Sequence, residues 1–220
     1  MTERWPEEVE VAEPPAAEAA EQPVQDEAAP VPAEPEAEAE EAAAPEPLLR
    51  TPDEHAGAGL DVPDGYSVLE GSPDGQRRAV AVVVSRFNGE IGSALLASAL
   101  AALERGGVQK DAITVVPVPG AFELPLAAMA FAKTRRYACV VALGCVIRGE
   151  TPHFDLVAGE AASGLQLAAL ETGVPVAFGV LTTETVEQAR ARTDKGAEAA
   201  LCALEMADLF AQLRVAAAAG

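Results

Sequence analysis

This sequence of 220 residues contains few of the residue types that build disulfide frameworks and metal sites. It has three cysteines, two histidines and one tryptophan, and aromatic residues make up only 4% of it. The cysteines are odd in number and lie among apolar residues, which favours buried thiols in a reducing compartment. Because neither the cysteines nor the histidines have the spacing of metal ligands, we expect no metal centre.

Long hydrophobic runs and a secretory signal are also lacking. The longest apolar stretch, residues 137–147, is shorter than the roughly 20 residues that a membrane-spanning helix needs. The start, Met-Thr-Glu-Arg-Trp-Pro-Glu-Glu, has neither the basic region nor the apolar segment of a secretory signal. We therefore expect a cytoplasmic protein with no membrane partner.

Basic residues are scarce as well, with 15 Lys and Arg against 35 Asp and Glu, a formal charge of −20. Residues 1–70 hold 20 acidic and 2 basic residues (−18), whereas residues 71–220 hold 15 and 13 (−2). A nearly neutral body has no field that would hold a phosphate backbone, so nucleic acid is not an expected partner.

The acidic first third is rich in Ala, Glu and Pro, and residues 1–70 contain 11 of the 17 prolines. Such a composition cannot bury enough apolar surface to offset the entropy of ordering. We interpret residues 1–62 as a disordered acidic tail and residues 63–220 as one folded domain. The tail is either an interaction arm or a solvating extension without a specific partner.

The folded domain alternates between two hydrophobic patterns. Continuous apolar runs predict buried strands at residues 79–84, 113–118, 137–143 and 175–181. Apolar residues at helical spacing predict helices at about residues 91–103, 122–133, 153–172, 184–192 and 195–213. This alternation favours an α/β protein, a three-layer α/β/α sandwich with a four-stranded parallel sheet of the flavodoxin-like type.

Ligands of such sheets bind at the carboxyl ends of the strands, here the loops at residues 85–89, 119–123, 145–153 and 182–184. These loops lack the Gly-x-x-x-x-Gly-Lys phosphate loop, the Gly-x-Gly-x-x-Gly dinucleotide motif and the Gly-x-Ser-x-Gly nucleophile elbow. They contain instead Phe87, Glu123 and the segment Arg-Gly-Glu-Thr-Pro-His at residues 148–153.

Each of these residues has a functional and a structural interpretation. His153 begins a predicted helix, where anions bind and an imidazole can move protons near neutral pH, but it could simply bond to the backbone. Phe87 could be ordinary packing, and Glu123 could complement a helix dipole. Arg192 and Lys195 could be solvated residues at a helix end.

Five motifs together closely resemble the 6,7-dimethyl-8-ribityllumazine synthase family. They are Ser-Arg-Phe-Asn at 85–88, Val-Pro-Gly-Ala-Phe-Glu-Leu-Pro at 118–125, Gly-Cys-Val-Ile-Arg-Gly-Glu-Thr-Pro-His-Phe-Asp at 144–155, Phe-Gly-Val-Leu-Thr-Thr at 178–183 and Asp-Lys-Gly-Ala-Glu-Ala-Ala at 194–200. The resemblance covers residues 68–213 in the family's order. It implies an enzyme, a transferase, for the penultimate step of riboflavin biosynthesis.

By this resemblance, 5-amino-6-(D-ribitylamino)uracil condenses with 3,4-dihydroxy-2-butanone 4-phosphate to the lumazine, phosphate and water, with no cofactor. The resemblance implies that Phe87 stacks on the pyrimidine and that Glu123 accepts hydrogen bonds from the ribityl hydroxyls. The other residues that it assigns to the ribitylaminouracil are Ala121, Phe122, Cys145, Val146, Ile147 and Phe178.

The resemblance also implies that His153 transfers protons and that Glu150 and Thr151 offer backbone amides to the butanone phosphate. Arg192 would bind the phosphate, with Arg192 and Phe178 reaching in from the adjacent subunit. Relatives commonly have a longer stretch after the position of Arg192, so Arg190 is an alternative phosphate ligand. Glu150 replaces a residue that is often small.

Family members form pentamers with sites between subunits, and some assemble further into decamers or 60-subunit icosahedral shells. The resemblance implies that residues 66–70 add a leading strand to a neighbour's sheet, and that riboflavin synthase is a further partner. Two other interpretations stay open: a flavin- or lumazine-binding shell protein whose tail recruits cargo, and a generic flavodoxin-like binding domain.

Overall fold

A computed structural model describes residues 60–219, so all but the last three positions of the predicted tail lie outside the described residues. The strands are β1 (Val80–Ser85), β2 (Ile113–Val118), β3 (Cys139–Ile147) and β4 (Val176–Thr183). The helices are α1 (Gly89–Arg105), α2 (Leu124–Lys133), α3 (His153–Thr172), α4 (Val186–Arg190) and α5 (Lys195–Ala219), and short 3-10 turns cover Lys110–Ala112 and Ala121–Glu123.

The four strands form one parallel sheet in the order β2-β1-β3-β4. Central strand β1 is buried along its whole length, as its continuous β-branched sequence predicts. One prediction at this level was wrong: the loop expected from Gly144 is strand as far as Ile147. The extra residues pair with β4, from Gly144 opposite Val180 to Ile147 opposite Thr183.

Helices cover both faces of the sheet, which confirms the three-layer α/β/α sandwich. Val80 and Val82 of β1 pack towards α1 and α5, in a core that includes Leu95 and Leu204. The alternate residues Ala81 and Val83 pack towards α2 and α3, against Leu124 and Leu165. Complete burial of each large aliphatic side chain contributes about 1.5–3 kcal/mol, so both layers are needed to hold the sheet.

Glycines follow the last residues of helices α1 and α3. Helix α3 stops at Gly173, whose φ of 64° is the left-handed conformation that a side chain disfavours. After α1 the left-handed residue is Gly107, with φ of 96°, while Gly106 remains right-handed. None of the helices among residues 60–219 is long and apolar enough to cross a membrane.

The chain that precedes β1 is held on α5 by one carboxylate. Asp208 accepts hydrogen bonds from the backbone N–H of Ser72 (3.0 Å) and from Gln212 (2.8 Å), and forms an ion pair with Arg78 (2.6 Å). Residues 66–70 form no strand within the single chain, and Tyr66 is exposed there. Their addition to a neighbour's sheet stays a prediction.

Candidate functional site

The order of the strands determines where a cleft can form. From β1 the chain crosses over α1 to β2 on one side, then over α2 to β3 on the other side. The loops after β1 and β3 therefore diverge at the carboxyl end of the sheet and leave a crevice between them. A cleft of about 690 Å³ lies at this position.

This cleft brings together nine of the twelve residues that the sequence assigns to substrate binding or catalysis. They are Phe87, Ala121, Phe122, Glu123, Cys145, Val146, Ile147, Thr151 and His153. The lining also includes six residues without a predicted role: Asn88, Gly120, Gly149, Phe154, Leu156 and Val157. Glu150, Phe178 and Arg192 do not line the cleft of this chain.

Two phenyl rings stand open at one end of the cleft. Phe87 follows β1 and is 72% exposed, and Phe122 follows β2 and is 58% exposed. A large apolar ring that faces water has no packing role in the single chain, so the interpretation of Phe87 as ordinary packing finds no support. Planar heteroaromatic rings stack on such side chains.

Glu123 has the structural role that the sequence allows, and its role in substrate binding stays a prediction. Its Oε2 accepts a hydrogen bond from the backbone N–H of Gly120 (2.9 Å), which closes the turn that leads into α2. The carboxylate thereby complements the start of that helix. Its side chain also lines the cleft, where a carboxylate is a strong acceptor for hydroxyl groups.

Asn88 is a lining residue that the sequence analysis did not single out. It adopts a left-handed conformation (φ 57°) immediately before α1, which asparagine tolerates better than most residues. Its Nδ2 donates a hydrogen bond to the carbonyl of Cys145 (3.0 Å), so it ties the ends of β1 and β3 together. The Asn-Gly pair at a strand-to-helix turn is the signal that could have identified it.

The thiol of Cys145 is a neutral part of the cleft wall. Burial raises its pKa to about 11, and the residue is 2% exposed. At neutral pH it is therefore a thiol rather than a nucleophilic thiolate. A covalent mechanism through this cysteine is disfavoured, in agreement with its predicted role as part of the wall.

His153 is the first residue of α3, is exposed and lines the cleft. Its side chain makes no hydrogen bond to any of the described residues, so the interpretation as a backbone-bonded histidine finds no support. Thr151 lies in the loop just before it and also lines the cleft. The imidazole is available to a ligand in the cleft.

Glu150 is exposed in the same loop but lies outside the cleft lining. It does not pair with Arg148, whose guanidinium binds Asp155 and Glu184 instead. That Glu150 offers its backbone amide to a phosphate stays a prediction. Within residues 60–219, no group of three or more His, Cys, Asp or Glu side chains could hold a metal ion.

The two remaining predicted residues, Phe178 and Arg192, lie outside the cleft lining. Phe178 is half-exposed on edge strand β4, and Arg192 lies between α4 and α5, where its Nη1 donates to the carbonyl of Gln188 (2.8 Å). Arg190 is held in an ion pair with Glu90 of α1 (3.1 Å). Arg192 forms no ion pair among the described residues, so its charge is the more available of the two.

Comparison with known proteins agrees with this geometry. The family model described as 6,7-dimethyl-8-ribityllumazine synthase matches residues 77–211, which include all the lining residues of the cleft. Proteins named 6,7-dimethyl-8-ribityllumazine synthase from Yersinia pestis (strain Pestoides F) and Yersinia pseudotuberculosis serotype O:1b (strain IP 31758) are each 54% identical over 154 residues, which is 67% of this chain and 99% of the relative. The chain therefore belongs to the 6,7-dimethyl-8-ribityllumazine synthase family, enzymes of riboflavin biosynthesis.

Proposed function

We propose that this enzyme condenses 5-amino-6-(D-ribitylamino)uracil with 3,4-dihydroxy-2-butanone 4-phosphate to 6,7-dimethyl-8-ribityllumazine, with release of phosphate and water. The observation that supports this reaction most strongly is the convergence of nine predicted substrate and catalytic residues on a single cleft. These residues follow β1, follow β2, or lie at the end of β3 and in the loop after it, so they are distant in sequence and the fold brings them together.

The cleft divides into two halves whose chemistry matches the two substrates. Phe87 and Phe122 provide stacking surfaces for a planar pyrimidine, and the second carboxylate oxygen of Glu123, Oε1, is the acceptor that we assign to ribityl hydroxyls. At the other end, Thr151 and His153 lie at the start of α3, where the free backbone N–H groups favour an anion. We assign this end to the butanone phosphate.

The reaction needs no nucleophile from the protein, because the substrate's own amine attacks the ketone. Imine formation releases one water, elimination then releases phosphate, and ring closure with loss of a second water completes the lumazine. Each step moves a proton, and we assign that transfer to His153, a role that typically contributes 10²–10⁴-fold. Holding the two substrates together can lower the barrier by a further several kcal/mol, up to about 7–11 in ideal cases.

We assign the phosphate itself to Arg192 of an adjacent subunit. Neither Arg192 nor Phe178 reaches the cleft of its own chain, and both lie on exposed positions that a neighbour could meet. A guanidinium binds two phosphate oxygens at once, which an ammonium does not. From the family resemblance we propose that the active unit is a homo-oligomer, a pentamer or a multiple of it, with sites between subunits and riboflavin synthase as a further partner.

We place the reaction in the cytoplasm. All three cysteines are free thiols in the structure, and burial raises the pKa of Cys139 to about 12 and that of Cys145 to about 11. Such thiols suit a reducing compartment.

Mixing the purified full-length protein with both substrates tests the proposal. We expect the absorbance of the lumazine to rise together with free phosphate, in equal molar amounts, after subtraction of the rates with each substrate alone. No turnover above those control rates would overturn the proposed reaction.

A further inference from the structure

The loop that carries the phosphate end of the cleft has no buried residue to hold it. Every residue from Arg148 to His153 is exposed. Pro152 is the N-cap residue of helix α3, which follows, and it makes no side-chain capping hydrogen bond. The first turn of α3 therefore also lacks the hydrogen bond that usually fixes a helix start. Some other contact must determine where Thr151 and His153 stand.

The guanidinium of Arg148 makes that contact. Its two terminal nitrogens donate to the two carboxylate oxygens of Asp155 (3.1 and 3.2 Å), and its Nε donates to Glu184 (3.1 Å). The same group lies 4.1 Å from the centre of the Phe154 ring. All five donors of a guanidinium lie in one plane, so this combination of a two-pronged ion pair and ring stacking allows a single orientation.

These partners belong to two different parts of the fold, the end of β4 and the start of α3. The backbone N–H of Arg148 donates to the carbonyl of Thr183 (2.9 Å), which fixes Arg148 to the end of β4. Glu184 directly follows that strand, whereas Phe154 and Asp155 are the second and third residues of α3. The ion pair of Arg148 with Asp155 therefore joins the two ends of the segment between them, and this segment contains Thr151 and His153.

We propose that Arg148 is a positioning residue that holds this loop, and with it His153, over the cleft. The inference rests on the proposed function, because it gives Arg148 a role in that reaction without any contact to substrate. The hydrogen bonds that Arg148 donates to Asp155 and Glu184 raise the pKa of Arg148, so the guanidinium stays charged throughout the working range of pH.

Two physical features separate this role from a general contribution to stability. An exposed ion pair contributes little to global stability, so loss of Arg148 should leave the fold and its melting temperature almost unchanged. A lysine keeps the charge of Arg148 but lacks the planar fork and the stacking, so it distinguishes orientation from charge.

Steady-state kinetics of four variants test the proposal: Arg148→Gln, Arg148→Lys, Asp155→Asn and the double variant with Arg148→Gln and Asp155→Asn. We expect Arg148→Gln to lower kcat about tenfold or more, because a small displacement of a catalytic group is costly. The KM for the ribitylaminouracil should stay unchanged, since its half of the cleft is not touched. Lys110→Gln, which removes the exposed ion pair with Glu104 (3.5 Å), is the matched control.

The variants also distinguish a connected unit from independent effects. Arg148→Lys should recover only a small part of the lost kcat, and the double variant should be no slower than Arg148→Gln, because both changes open the same contact. Full recovery by lysine would show that charge alone matters and would overturn the proposal. Additive losses, or a kcat for Arg148→Gln that equals that of Lys110→Gln, would overturn it too.

Hydrogen–deuterium exchange provides a readout that needs no turnover. We expect peptides that cover residues 149–160 to exchange faster in Arg148→Gln than in the wild type, with no change in Lys110→Gln. Unchanged exchange in those peptides would overturn the positioning role even in an active enzyme. If the wild type shows no turnover, the proposed reaction fails, and this measurement still decides whether Arg148 holds the loop.

Discussion

His153 is the only histidine in the described part of the chain, and it stands exposed at the first position of α3, next to the cleft. No polar group among the described residues competes for its ring nitrogens. An exposed histidine without such a partner contributes little to the free energy of folding. Its place in the cleft supports the proposed role in proton transfer.

Replacement of His153 by alanine should therefore slow the reaction more than it weakens binding. We expect kcat to fall about 10²–10⁴-fold, the usual contribution of a general acid–base residue, while both KM values change by only a few-fold. Steady-state kinetics with each substrate varied in turn measures both quantities. An unchanged kcat would refute the assigned role, and an unchanged melting temperature would show that the variant is folded.

The two arginines near α4 differ in what they already bind, and this difference predicts their kinetics. Arg190 is held by Glu90, whereas among residues 60–219 Arg192 forms no ion pair and its Nη1 donates to the carbonyl of Gln188. We expect Arg192→Ala to raise the KM for the butanone phosphate about tenfold or more, as the loss of a charge-assisted phosphate contact does. Arg190→Ala should leave that KM near the wild-type value; the reverse result would show that Arg190 is the phosphate ligand.

At the scale of elements, Asp208 joins the segment before β1 to α5. Hydrogen bonds from the Ser72 backbone and from Gln212, together with the nearby Arg78, hold the pKa of Asp208 below its usual value. A carboxylate with a lowered pKa stabilises the fold most above its unfolded pKa of about 3.9, and this contribution is lost as the pH falls through the folded pKa. The segment should therefore loosen in acid.

Asp208→Asn tests this contribution. We expect the variant to lose about 1–2 kcal/mol of unfolding free energy at neutral pH, the range for a hydrogen-bonded charge. The difference from the wild type should stay constant above about pH 5 and shrink below about pH 4. Urea unfolding at several pH values measures it. Asp111→Asn changes an exposed aspartate without an ion pair among residues 60–219 and should show no such difference.

The elements also show how far local sequence determines the structure. Helix α3 has the predicted limits, residues 153–172, because its start at Pro152 and its left-handed end at Gly173 are local signals. The end of β3 could not be predicted in the same way. Gly144 has weak strand propensity and ended the predicted strand too early, whereas residues 144–147 are strand because β4 lies beside them with matching register. That pairing joins distant parts of the chain.

The same distinction between local sequence and distant contacts applies to the candidate site. The residues that follow β1, β2 and β3 could be assigned to one cleft because parallel strands place their carboxyl ends at one edge. Asn88 was missed because its contribution is a contact with the Cys145 carbonyl, which depends on the β1–β3 pairing. Phe178 and Arg192 lie outside the cleft of their own chain, and their contribution to the site of an adjacent subunit stays a prediction.

At the scale of the whole molecule, charge and catalysis are separated along the chain. Residues 63–220 carry 13 basic and 17 acidic residues, a formal charge of −4, against −20 for the full sequence. All residues that line the cleft, and the Asp208 contacts that precede β1, lie within residues 63–220. We therefore propose these residues as the catalytic domain and residues 1–62 as an appendage that affects assembly rather than chemistry.

Deletion of residues 1–62 tests this separation. We expect kcat and both KM values to stay within about twofold of the full-length enzyme, because deletion touches no residue of the cleft. Repulsion between acidic segments opposes the close approach of subunits, so the truncated protein should form particles at least as large as those of the full chain. Salt at about 0.15 M screens charges beyond about 8 Å. The difference in particle size between the truncated and the full-length protein should therefore become smaller as the salt concentration rises. Mass photometry at low and high salt measures particle size. Smaller particles after deletion, with unchanged kinetics, would instead show that residues 1–62 promote assembly.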